Sequence, residues 1–70
     1  METFKLKPDE EYIELNTLLK ALKWVASGGE GKTAIREGKV VVNGEVESRI
    51  RKKMRSGDTV TFDGDEGTVH

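Results

Sequence analysis

The sequence has no cysteine, and its one histidine is the last residue, His70. These two facts exclude disulfides, thiolate metal sites, a Ser-His-Asp triad and a two-histidine metal site. No apolar run approaches the roughly 18 residues of a membrane span, and no signal-peptide pattern opens the chain. The 70 residues suffice for one small domain, residues 1–70. We therefore expect a cytoplasmic, monomeric, non-catalytic module without metal, cofactor or membrane contact.

The net charge of −1 conceals a strongly uneven distribution of charge along the chain. Residues 1–16 sum to −3 and residues 58–70 to −4, whereas residues 17–57 carry ten basic and four acidic side chains, a sum of +6. A basic middle between two acidic ends predicts one face that meets anions.

Two short helices are predicted in the first half of the chain. The first, about two turns long with Asn16 as a cap near its start, follows from leucines at helical spacing, Leu15, Leu18, Leu19 and Leu22. The second runs from Gly28 to about Glu37, because Ser27 and Glu30 have the spacing of a capping box.

Strand signals occupy the rest of the chain. Residues 3–7 alternate apolar and charged side chains, and Asn43-Gly44 between two strand-like runs predicts a hairpin with a type I′ turn. Residues 59–62 read as a further strand, and residues 68–69 as a last edge strand. The predicted fold is α+β, with two short helices packed on a small, mostly antiparallel sheet of three to five strands.

The most informative stretch is the basic segment, residues 49–55, because residues 48–57 contain no acidic side chain. If the segment is extended, Ile50 and Met54 face the core and four cations face solvent, namely Arg49, Arg51, Lys53 and Arg55. Such a row suits a phosphate backbone. The alternative is a charged edge strand that discourages aggregation.

The second helix adds a second candidate element for binding anions. Ser27, Gly28 and Gly29 form its N-terminus, where free N–H groups and small residues allow a phosphate to approach closely. Lys32 and Arg36, four residues apart, share one face of the helix, and Lys39 follows its end. The alternative is a well-capped helix with a polar outer face.

Two aromatic residues leave a further choice open. Trp24 and Tyr12 either stack on bases or lie at the edge of the core, as large aromatic side chains in small domains commonly do.

From Glu14 to Phe62 the chain resembles the small RNA-binding domain family named after small-subunit ribosomal protein four, whose core is the alpha-L motif. The resemblance rests on the leucine-patterned first helix, on Ser27, and on three short motifs, Glu30-Gly31-Lys32, Gly38-Lys39-Val40-Val41-Val42-Asn43-Gly44 and Gly57-Asp58-Thr59-Val60. The short form with an added N-terminal strand is similar to a bacterial stand-alone subfamily. The resemblance implies RNA binding across the second helix and the following hairpin.

Three positions depart from the family pattern. The family usually has arginine where Glu14 and Gly28 stand, and glycine where Lys23 stands. The basic segment is expected to replace the missing arginines. The sequence leaves two functions open: a non-catalytic module that binds structured RNA, with ribosomal RNA as one candidate, and a protein-interaction adaptor with the same fold.

Overall fold

The computed structural model describes all residues, 1–70. It contains two helices and seven strands, in the order β1 Glu2–Phe4, β2 Ile13–Glu14, α1 Leu15–Ala21, α2 Gly28–Arg36, β3 Val40–Val42, β4 Glu45–Val46, β5 Lys53–Met54, β6 Thr59–Phe62 and β7 Asp65–Val69. Five strands form one mixed sheet, and β2 and β5 form a separate two-stranded ribbon. The α+β prediction, with two helices on a sheet of up to five strands, is confirmed; the ribbon was not predicted.

The five-stranded sheet has the order β1-β7-β6-β3-β4. Every pairing is antiparallel except that of β1 with β7, which aligns Thr3 with Thr68. The prediction of residues 68–69 as an edge strand is wrong. They belong to a five-residue strand that lies between β1 and β6, because the N-terminal strand adds to its outer side.

Both helices begin close to their predicted positions. Ser27 caps α2, its Oγ accepting from the N–H of Glu30 at 3.2 Å, whereas the reciprocal bond of a full capping box is not formed. The prediction of Asn16 as a cap is wrong, because Asn16 is the second residue of α1 and Glu14 stands at the cap position. No helix is both long and apolar enough to cross a membrane.

One apolar cluster joins the helices to both sheets. It contains twelve buried residues: Ile13, Leu15, Leu18, Leu19, Val25, Ala34, Ile35, Val40, Val42, Met54, Val60 and Val69. The predicted leucine face of α1 is therefore confirmed, with Leu22 packed at its margin. The helices approach closely at the buried Gly31, where any Cβ would overlap the side chain of Asn16.

The β3–β4 turn is tied to the turn that precedes β6. Asn43 and Gly44 have φ of 50° and 85°, as a type I′ turn requires. The Asn43 side chain donates to Asp58 at 3.0 Å and accepts from the N–H of Thr59 at 2.9 Å. Asp58 also accepts from the N–H of Arg55 at 2.8 Å. Hydrogen bonds thus join the Asn43-Gly44 motif to the Gly57-Asp58 motif. The bond from Arg55 to Asp58 fixes the end of the basic segment.

The basic segment is not one extended strand. Only Lys53–Met54 is a strand, while residues 49–52 form a turn in which the Lys52 N–H donates to the Arg49 carbonyl at 3.2 Å. The apolar positions are as predicted, since Met54 is fully buried and Ile50 packs against the core. The turn arises because the carbonyls of Ile50 and Lys52 accept hydrogen bonds from the start of α1.

Lys23, just after α1, has a left-handed backbone with φ of 62°. This conformation crowds the Cβ of any residue other than glycine, which explains why glycine suits this position. Replacing Lys23 with glycine relieves that crowding, although it also makes the unfolded chain more flexible.

We therefore expect Lys23→Gly to raise the free energy of unfolding by about 0.5–1 kcal/mol, measured by urea denaturation. Lys23→Ala is the matched control, because it removes the charge but keeps the Cβ, and it should bring no such gain. A glycine variant no more stable than the alanine variant would contradict this explanation.

Candidate nucleic-acid interface

One concavity of the surface has an entirely basic lining. It is open, has a volume of about 540 Å³, and is lined by Arg49, Arg51, Lys52, Lys53 and Arg55. We call these five residues the basic cluster. Their guanidinium and ammonium groups are hydrogen-bond donors that carry positive charge, which is the chemistry of phosphate recognition.

The basic cluster is positioned by the N-terminus of α1. The first N–H groups of a helix have no partner within it, and the side chain of Glu14 does not cap them. Instead the N–H of Leu15 donates to the carbonyl of Lys52 at 2.8 Å, and that of Asn16 to the carbonyl of Ile50 at 3.1 Å. These bonds curve the chain, so the cations surround a hollow instead of forming a straight row.

Arg49 is the one member of the cluster whose side chain forms an ion pair. Its Nε and Nη2 donate to the carboxylate of Glu47 at 2.9 and 3.1 Å, and its backbone N–H donates to the same carboxylate. The Glu47 side chain is only 13% exposed. The side-chain hydrogen bond from Arg49 is the main cause that lowers the pKa of Glu47 from 4.5 to about 2. Arg49 is thereby held in place and partly neutralised.

The β2–β5 ribbon directs two more cations outward. Ile13 pairs with Met54, and both are buried; Glu14 pairs with Lys53 on the opposite face. The same register places Tyr12 beside Arg55. The ring of Tyr12 has Lys53 Nζ at 5.1 Å and Arg55 Cζ at 5.7 Å from its centroid, both within the range of cation–π attraction.

The N-terminus of α2 lies beside α1, close to the basic segment. The N–H groups of Gly28 and Gly29 have no acceptor within the protein. Asn16 connects this end of α2 with the basic segment: its backbone N–H donates to the carbonyl of Ile50, and its Nδ2 lies 3.7 Å from the position of a Cβ on Gly28. The position where the family has arginine therefore has room for a side chain.

The remaining predicted residues lie outside the concavity. Lys32 and Arg36 are exposed on α2 and make no ion pair. Lys39 forms an exposed ion pair with Glu37 at 3.1 Å, a kind of pair that contributes little to stability. Of the ten residues predicted as contacts, the structure gathers four in the concavity: Arg49, Arg51, Lys53 and Arg55.

Three features of the site were missed from sequence. Lys52 lines the concavity, although an extended strand would have turned it inward. Glu47 binds Arg49, for which the acid–x–arginine spacing was an available signal. Tyr12 lies beside two cations, and only the ribbon pairing shows this.

The fold and the basic site match a known family. A model of the S4 domain matches residues 5–70. The chain therefore belongs to the S4 domain family, and the resemblance seen in its motifs is confirmed.

Two curated proteins and one solved structure are similar to it. The putative RNA-binding protein YbcJ of Escherichia coli (strain K12) is 47% identical over 64 residues, 91% of this chain and 90% of that protein. The probable ribosome maturation protein RlbA of Bacillus subtilis (strain 168) is 38% identical over 56 residues, 80% of this chain and 79% of that protein. The solution structure of Escherichia coli YbcJ, described as revealing an alpha-L motif involved in RNA binding, has a TM-score of 0.75 and 45% identity, and the match covers 99% of this chain and 86% of that one.

The Glu47–Arg49 pair predicts a pH dependence of stability. Folding lowers the pKa of Glu47, so the pair contributes fully above pH 4.5, and its contribution is lost as the pH falls toward 2. We expect wild type to have a higher urea midpoint than Glu47→Gln near neutral pH, and this difference to shrink from about pH 5 to about pH 2.

The matched control places Glu47→Gln in an Arg49→Gln background. Without Arg49 as its partner, Glu47 should raise the urea midpoint over Glu47→Gln by much less, and most of the pH dependence of that difference should disappear. A difference between wild type and Glu47→Gln that stays constant as the pH falls would contradict the pairing.

Proposed function

We propose that this protein is a non-catalytic, monomeric, cytoplasmic module that binds structured RNA. The observation that carries the proposal is the basic cluster, five cations that line one open concavity of the surface. Like charges repel one another, and gathering five of them with a single ion-paired carboxylate, that of Glu47, lowers stability unless an anionic ligand offsets the repulsion. A nucleic acid backbone, with regularly spaced phosphates, is such a partner.

The N-terminus of α2 supplies the second part of the proposed interface. Ser27, Gly28 and Gly29 present free N–H groups at the positive end of the helix dipole, and Asn16 places this end beside the basic segment. Lys32 and Arg36 extend the positive surface along α2, and Lys39 continues it beyond the helix.

The relatives support RNA as the ligand over other polyanions. YbcJ is named a putative RNA-binding protein, and RlbA a probable ribosome maturation protein. A ribosomal RNA target agrees with the second of these names and forms the more specific part of the proposal.

The acidic residues support one mode of approach. Asp63, Asp65 and Glu66 are exposed at the β6–β7 turn, and none of them lines the concavity. A polyanion is repelled by that turn and attracted to the basic cluster, so the charge distribution orients the encounter before contact is made.

Replacing three exposed cations of the cluster tests the proposal, using a structured RNA hairpin as probe. Each engaged phosphate contributes about −0.7 to −0.9 to the slope of log K against log salt, so about four contacts give a slope near −3. Arg51→Ala/Lys53→Ala/Arg55→Ala should reduce the slope to about −1 and weaken binding strongly at low salt. Fluorescence anisotropy at several salt concentrations measures both quantities.

The matched control removes three exposed cations elsewhere, Lys5→Ala/Lys7→Ala/Lys20→Ala, for the same change in net charge. It should keep a slope near that of wild type. Equal slopes in the two triple variants would refute the basic cluster as the binding surface. No binding of structured RNA by wild type would instead favour the protein-adaptor function.

A further inference from the structure

Tyr12 is an exposed aromatic residue at the rim of the basic cluster. Its side chain lies on the outward face of the β2–β5 ribbon, because the next residue, Ile13, points into the core. Tyr12 is 36% exposed, and its hydroxyl makes no hydrogen bond within the protein. About a third of Tyr12 is therefore accessible to a ligand at the edge of the basic cluster.

Trp24, the other candidate for base stacking, has a structural role. It is half-buried, packs against the core, and its Nε1 donates to the Glu2 carboxylate at 2.6 Å. Its Cη2 lies 3.2 Å from the position of a Cβ on Gly67, so the indole covers β7. Of the two roles left open by the sequence, Trp24 therefore has the structural one at the edge of the core. Tyr12 remains accessible for stacking on a base.

Tyr12 and its neighbours provide the two groups by which proteins bind an unpaired nucleotide, namely an aromatic ring and cations. Lys53 and Arg55 lie at 5.1 and 5.7 Å from its ring centroid, and both also line the basic concavity. Proteins that bind unpaired nucleotides hold the phosphate with cations and stack the base on an aromatic ring. Bases inside an RNA duplex are paired and stacked on one another, so they are not available to such a ring.

We propose that Tyr12 stacks on an unpaired base, so that the preferred ligand is duplex RNA interrupted by a bulged or looped nucleotide. This inference rests on the proposed RNA-binding function and makes its ligand class specific. The cations bind the backbone on either side of the unpaired nucleotide. Tyr12 stacks on the base whatever its identity, provided that the base can leave the helix.

The test uses two probes, a blunt RNA duplex and the same duplex carrying one bulged 2-aminopurine. Wild type should bind the bulged duplex about 5- to 100-fold more tightly and should change the 2-aminopurine fluorescence through stacking. Tyr12→Leu should bind both duplexes with the affinity that wild type shows for the blunt one, without the fluorescence change. Tyr12→Phe keeps the ring and should retain both the preference and the fluorescence change.

An exposed residue far from both candidate binding elements serves as the control. Thr3 on β1 is exposed and lies outside the basic cluster, so Thr3→Ala should behave as wild type with both probes. If wild type binds both duplexes equally and Tyr12→Leu changes nothing, the stacking role is refuted while RNA binding stands. If wild type binds neither duplex, the proposed function itself fails, and the stacking role fails with it.

Discussion

The structure depends on two backbone hydrogen bonds between α1 and the basic segment. The N–H groups of Leu15 and Asn16 donate to the carbonyls of Lys52 and Ile50. A seven-residue helix is marginal alone, and this one has no side-chain cap. The basic segment therefore completes the helix, and the helix in turn curves the segment into a hollow. Fold and site share these bonds, so loosening either element should disturb the other.

The site is a compromise between charge density and stability. Five cations in one hollow repel one another, and the structure moderates this repulsion with groups that leave the hollow open. Glu47 neutralises part of Arg49 from one side, and the Tyr12 ring attracts Lys53 and Arg55 from another. Glu14 and Gly28 stand where the family usually has arginine, and the positive charge of this surface lies in the basic cluster.

Local elements were predictable from the sequence, and elements that depend on distant pairing were not. The Ser27 cap and the Asn43-Gly44 turn require only neighbouring residues, so their motifs were sufficient. The turn at residues 49–52 forms because its carbonyls accept hydrogen bonds from α1, which lies far earlier in the chain. The last strand, β7, is an interior strand of the sheet because the N-terminal strand β1 pairs with it. The charges of the site were therefore visible in the sequence, whereas its concave shape and the exposure of Tyr12 required the tertiary structure.

An amide chemical-shift map by NMR, recorded during titration with a structured RNA hairpin, tests most directly whether the basic cluster binds RNA. We expect the largest shifts on the basic segment, followed by Tyr12 and the first turn of α2, with residues 63–66 unchanged apart from small general effects. Shifts confined to the basic segment would remove α2 from the interface but keep the basic cluster as the binding surface. Shifts centred on the five-stranded sheet, or no shifts at saturating RNA, would refute the basic cluster as the binding surface.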